Sequence, residues 1–197
     1  METCVSNPAN LLSKSYFFDY GWSITFFPIY LGSGIYGDGN TYHWNAVGSY
    51  LESPAILDAS GTETTGISVT STNLGGMWAN PFCALNDNML KTYAYGNSEV
   101  QITITGLPAN DYDIVIYSAP WDDPAYLAEY DLSVGGENQG AKYIDGTYGG
   151  SSAAWIEGTQ YVQFRNITVQ ESENMIITIP TAHGYALLSG LQIVPLS

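Results

Sequence analysis

Val100-Gln101-Ile102-Thr103-Ile104-Thr105 alternates apolar and polar residues without a break. In an extended chain successive side chains point to opposite faces, so Val100, Ile102 and Ile104 share one side while Gln101, Thr103 and Thr105 share the other. That period of two marks a strand with one buried and one wetted face. The stretch Gly106-Leu107-Pro108-Ala109-Asn110-Asp111 is built of turn formers, and Tyr112-Asp113-Ile114-Val115-Ile116-Tyr117 is the next strand. Asn174-Met175-Ile176-Ile177-Thr178-Ile179 repeats the pattern. Further runs rich in Val, Ile, Thr and Tyr fall at 22–27, 67–72, 89–95, 130–134, 161–169 and 187–194, separated by many of the 21 glycines and 9 prolines.

Few stretches have the length or period of a helix. Many short strands with turns between them predict an all-β protein, two antiparallel sheets packed as a β-sandwich. Val100, Ile102, Ile104, Ile114, Ile116, Ile177 and Ile179 are its expected core. Residues 1–10, with Asn7-Pro8, read as an N-terminal tail, and 11–197 as a single β-sandwich domain. A chain of 197 residues buries enough surface to fold without a metal or disulfide. Cys4 and Cys83 are equally compatible with one disulfide and with two inert thiols.

Charged residues make up only 12% of the chain, well under the usual quarter, so Ser, Thr, Asn, Gly and Tyr must form most of the surface. Asp and Glu number 19 against 4 Lys and Arg, a net charge of −15. Nucleic-acid binding needs Lys and Arg to displace counterions from phosphates, and an anionic membrane repels the same surface. Neither is an expected partner. A neutral polymer is, and the chain is expected to be a monomer. Met1-Glu2-Thr3-Cys4 carries no basic or apolar leader. The chain therefore reads as a module excised from a larger secreted bacterial protein.

Binding residues concentrate on loops held by a rigid scaffold. Three long connections stand out. Residues 32–53 carry Tyr36, Tyr42, His43, Trp44 and Tyr50; 118–129 carry Trp121, Asp122, Asp123 and Tyr126; and 135–158 carry Tyr143, Tyr148 and Trp155. Many of the 16 Tyr and 5 Trp are needed in the core, and Trp22, in a strand-like run, is one of these. Trp121 and Tyr126 differ, because a Pro- and Asp-rich connection gives a large ring no periodic reason to be buried. A pyranose has an apolar C–H face that stacks on such a ring, and its hydroxyls need polar partners close by. The expected carbohydrate site is Trp121, Tyr126, Asp122 and Asp123, with Trp78, Asn80, Tyr148 and Trp155 from neighbouring loops. Asp58, Asp122 and Asp123 are hard oxygen ligands that suit a structural calcium.

Several segments, taken in order, resemble β-sandwich domains in secreted, multi-domain carbohydrate-active enzymes of Planctomycetes and related bacteria. They are His43-Trp44-Asn45, Leu57-Asp58-Ala59-Ser60-Gly61, Thr65-Gly66-Ile67-Ser68-Val69, Met89-Leu90-Lys91-Thr92-Tyr93, the 100–108 and 112–117 stretches, Tyr161-Val162-Gln163-Phe164 and Gly190-Leu191-Gln192-Ile193-Val194. The resemblance implies a galactose-binding-like or jelly-roll sandwich. It also implies a covalently attached catalytic domain in the parent protein. The family often has Asn before the Trp, where this chain has His43.

Chemistry of the chain's own finds little support. His43 and His183 are the only histidines, and no Gly-x-Ser-x-Gly elbow is present. His183, in Thr181-Ala182-His183-Gly184-Tyr185, reads as a hairpin turn. Asp122 and Asp123 are adjacent, which does not place carboxylates on opposite sides of a glycosidic bond. The expected function is a non-catalytic carbohydrate-binding module for a neutral plant or algal polysaccharide. An adhesion or surface-assembly domain is the alternative, and a jelly-roll polysaccharide-cleaving enzyme the second. The charge balance also predicts that the chain passes unretained through a heparin column at physiological salt; retention contradicts it.

Overall fold

The structure, a computed structural model, describes residues 16–19, 35–36, 45–46, 56–62, 64, 66–79, 90, 92–118, 127–145, 155–182 and 184–197. The described strands are β1 (Tyr16–Asp19), β2 (Asn45–Ala46), β3 (Ser68–Thr72), β4 (Gly76–Ala79), β5 (Thr92–Gly96), β6 (Val100–Thr105), β7 (Asn110–Tyr117), β8 (Ala128–Val134), β9 (Glu137–Ile144), β10 (Tyr161–Val169), β11 (Met175–Ile179), β12 (Ala186–Leu188) and β13 (Gly190–Pro195). No α-helix occurs among the described residues. One five-stranded sheet has the order β10-β7-β13-β1-β2, a second β3-β6-β11-β8-β9, and a three-stranded sheet β12-β5-β4. All pairings are antiparallel except β1 with β2.

The alternation that predicts β6 is the burial pattern observed. Val100, Ile102 and Ile104 are fully buried, and Gln101, Thr103 and Thr105 are not. Met175 pairs with Ile104 and Val134, and Ile177 with Ile102 and Leu132, so this sheet turns continuous apolar rows inward. Facing them from the other sheet are Ile114, Ile116, Val162, Phe164, Leu191 and Ile193. All seven residues expected in the core are buried.

The stretch at 106–109 is a crossover between the two sheets, joining β6 to β7. Buried Tyr112 pins it by donating its hydroxyl to the Pro108 carbonyl, 2.7 Å away. Gly106 sits at φ +75°, and a Cβ there would lie 1.9 Å from the Gly66 carbonyl oxygen.

Three readings of the sequence need correction. The connection expected over 135–158 contains a full strand, β9, paired with β8 through a two-residue hairpin. Gly135 and Gly136, at φ 58° and 86°, supply the positive φ that such a turn requires. The run at 187–194 is two strands in different sheets, broken at Ser189. The segment around His183 is no hairpin, since it leads from β11 in one sheet to β12 in another; His183 itself lies outside the described residues, as do the run at 22–27 and residues 1–10.

Gly106 and Gly136 separate strain from collision. A Cβ at Gly136 meets nothing within 4 Å, so Gly136→Ala should cost only the left-handed backbone, about 1 kcal/mol. Gly106→Ala adds an overlap with main chain and should cost about 4 kcal/mol or more. Urea unfolding of the two variants measures the difference.

Candidate functional site

The outer face of the β10-β7-β13 sheet is covered by the chain itself. Asp113, Val115 and Tyr117 of β7 alternate with the inward-facing isoleucines, yet they too are buried. Ala59 and Leu90 pack over Val115, Tyr117 and Val194, with Ile35, Tyr36, Trp155 and Tyr161 partly buried beside them. Ile35 and Tyr36 are held by polar bonds. Ile35 N donates to Tyr117 Oη (2.7 Å), and Gln192 Nε2 donates to the Tyr36 carbonyl (3.0 Å). The Tyr117 hydroxyl donates to Gln192, and that of Tyr36 to Asp113. Gln163 Nε2 reaches both Tyr36 Oη (2.7 Å) and Asp113 Oδ2 (2.9 Å). Asn166 N donates to Asp113 Oδ1 at 3.0 Å, fixing a β-bulge between Phe164 and Ile167. Among the described residues, the polar groups of this face bond to one another.

The open candidate is one end of the sandwich. Segment 119–126 leaves from Ser118 and returns at residue 127; segment 146–154 leaves from Asp145 and returns at Trp155. The four bracketing positions lie together. Ser118 N donates to the Gln160 carbonyl (3.1 Å), Asp145 N donates to the Gly158 carbonyl (2.8 Å), and Ala128 pairs with Ile144. Trp155 stands here edge-on to Tyr117, with ring centroids 5.0 Å apart, and remains partly exposed. Ile156 beside it is exposed, and so is Tyr185, edge-on to Tyr95 at 5.9 Å. On the β9–β10 side Arg165 forks onto Glu157 (2.7 and 3.3 Å), with Lys142 Nζ 3.6 Å from the same carboxylate. Arg165 holds the Glu157 carboxyl below its ordinary range.

The floor of this end is polar and closed. Ser118, Gln160 and Ser189 are 0%, 1% and 0% exposed. Ser118 Oγ, Ser189 Oγ and Gln160 Nε2 have no hydrogen-bond partner. A buried polar group left unpaired costs about 1–3 kcal/mol. Together the three approach the whole stability of an ordinary domain, about 5–15 kcal/mol.

Of the site residues expected from the sequence, Trp121, Asp122, Asp123, Tyr126, Tyr148 and Asn80 lie outside the described residues. Trp78 falls in β4, paired with Tyr93 of β5. Trp155 sits at the loop end. Asp58 caps its own turn: its Oδ1 accepts from Ser60 N (3.0 Å), Ser60 Oγ (2.6 Å) and Thr62 N (3.0 Å). Among the described residues no group of three or more His, Cys, Asp or Glu converges. Tyr185, Ile156 and the Ser118–Gln160–Ser189 floor were not singled out from the sequence. The signal for the covered face was present, because Val115, Tyr117 and Val194 are apolar at positions that strict alternation assigns to water.

No protein-family model matches the chain, and no curated protein matches it. Among solved structures it is similar to a calcium-binding mutant of Bacteroides uniformis beta-glucuronidase 2, with TM-score 0.53 and 12% identity over 96% of this chain and 19% of that one. It is also similar to the ANXUR2 extracellular domain of Arabidopsis thaliana (TM-score 0.46, 14% identity, 66% of this chain and 41% of that one). A third is the CBM36-1 domain of a multidomain xylanase from the hindgut metagenome of Trinervitermes trinervoides (TM-score 0.36, 23% identity, 64% and 96%). The chain thus spans about two fifths of the plant ectodomain. The glucuronidase likeness supports the sandwich fold and nothing finer. No helix among the described residues is long and apolar enough to cross a membrane.

Burial, then the neighbouring Asp113 carboxylate, pushes the Tyr36 phenol up to about 12. In the unfolded chain it titrates near 10. The folded state therefore holds this proton longer, and the stability it contributes is complete below pH 10 and lost as pH rises through 12. Tyr36→Phe should lower stability at neutral pH and flatten the alkaline limb. Urea unfolding between pH 8 and 12 reads both effects.

Proposed function

We propose that this chain is a non-catalytic carbohydrate-binding module of a secreted protein. In this reading it holds a neutral plant or algal polysaccharide for an attached enzyme and binds it at the loop end of the sandwich. One observation carries the reading: the segment with Trp121, Asp122, Asp123 and Tyr126 and the segment with Tyr148 are both anchored where Trp155 and Ile156 stand exposed or partly exposed. An aromatic ring beside hydroxyl-binding carboxylates is the chemistry a sugar ring selects. The net charge of −15 favours a neutral polymer over an acidic one. The covered face of the β10-β7-β13 sheet removes the main competing surface. The other sheet's outer face carries Thr70, Thr103, Ser133 and Thr178 and, on its edge strand β9, one exposed ring, Tyr143, whose hydroxyl is bonded to Glu129 Oε1 at 2.9 Å. A calcium held by Asp122 and Asp123 belongs to the same proposal.

Affinity electrophoresis through gels containing neutral polysaccharides, with and without EDTA, tests it. The wild-type chain should be retarded. Trp121→Ala should weaken binding by about 1–3 kcal/mol, roughly ten- to hundredfold, with the melting temperature unchanged. Trp155→Ala should weaken binding and also lower the melting temperature, because its ring packs on Tyr117. Absence of retardation on every neutral polymer contradicts the proposal. A melting collapse in Trp121→Ala places that ring in the core and moves the site elsewhere.

A further inference from the structure

The closed floor at the loop end holds three buried polar atoms with no hydrogen-bond partner. Ser118, Gln160 and Ser189 come from three neighbouring strand ends, brought together by the Ser118 N to Gln160 O bond (3.1 Å) and the Ser189 N to Tyr117 O bond (2.9 Å). The Gln160 amide is fixed in place, since its Oε1 accepts from Ile156 N at 2.8 Å, and this leaves Nε2 directed elsewhere. Buried Tyr130, from the opposite sheet, donates its hydroxyl to the Leu187 carbonyl (2.7 Å), and the Ser118 side chain lies close enough to temper the rise that burial imposes on its phenol. Two hydroxyls and one amide N–H thus lie buried in one row across neighbouring strands. Alanine would fill positions 118 and 189 without a polar atom, so serine there makes sense only if the hydroxyls are satisfied. The occupant must be small and uncharged, able both to accept from Gln160 Nε2 and to exchange bonds with two hydroxyls. A sugar cannot enter residues that are 0–1% exposed. Water meets each requirement and commonly takes two to four bonds in such places.

We propose that enclosed, long-lived water bridges Ser118 Oγ, Ser189 Oγ and Gln160 Nε2, joining β10, β7 and β13 across the base of the loop end. The inference stands on the buried row alone and does not depend on the sugar reading. Magnetic relaxation dispersion of water oxygen-17, recorded on the intact chain, detects water held longer than nanoseconds. The wild type should display such water, and Ser118→Ala/Ser189→Ala should lose part of the amplitude while its circular dichroism spectrum stays unchanged. An unchanged amplitude overturns the proposal. So does a rise in melting temperature on either single Ser→Ala substitution, because removing a dry, unpaired hydroxyl is stabilising whereas removing a water-bonded one is not. Should the double variant not fold, a high-resolution crystallographic map of the wild type decides. Density within hydrogen-bond distance of all three atoms supports the bridge, and an empty row overturns it.

Discussion

Asp113 lies in the middle of a strand whose two faces are both buried, and much of the molecule is arranged around that carboxyl group. A buried carboxylate without partners is prohibitively costly. Here it accepts from the Tyr36 hydroxyl, Gln163 Nε2 and the Asn166 backbone N–H. The last bond bends β10 into its bulge, with Asn166 at φ 61°, a conformation Asn tolerates better than most residues. The first ties Ile35-Tyr36 across the sheet, where Gln192 and Tyr117 complete the clamp. A single acidic side chain thereby links a distant segment, a strand irregularity and a second apolar cluster to β7.

This arrangement decides which surfaces remain for a ligand. One sheet spends its outer face on the chain's own residues. The other presents mostly polar side chains in cross-strand rows, the ordinary wetted face of an antiparallel sheet, with the exposed Tyr143 bonded to Glu129 at its β9 edge. The candidate that remains is the end marked by Ser118, Asp145 and Trp155, where Trp155 and Ile156 reach the surface beside a closed polar floor.

The fold was largely legible because burial in the β3-β6-β11-β8-β9 sheet is one-sided. Val100, Ile102 and Ile104 alternate with polar residues, and so do Met175, Ile177 and Ile179 with Ile176 and Thr178. Where burial is two-sided the alternation disappears: Val115 and Tyr117 are apolar where strict alternation calls for polar residues, and that break in period is the sign that their face is covered. The β9 strand escaped because Glu137-Asn138-Gln139-Gly140 is polar throughout and exposed at a sheet edge, leaving Gly135-Gly136 as the only hairpin signal. The loop-end floor was illegible for a different reason. Ser118, Gln160 and Ser189 are remote in sequence and become neighbours only through strand pairing. Among the candidate site residues, Trp155 and Asp58 can be followed from sequence to a defined side-chain environment.

The central claim is that the loop end, and no sheet face, meets a carbohydrate. Mapping backbone amide shifts by NMR while titrating soluble neutral oligosaccharides tests it most directly. The account predicts that perturbations cluster at Ser118, Asp145, the 155–160 turn and Tyr185, with little change at Thr70, Thr103 or Thr178. Perturbations centred on that threonine-bearing face, or none with any neutral sugar, contradict it.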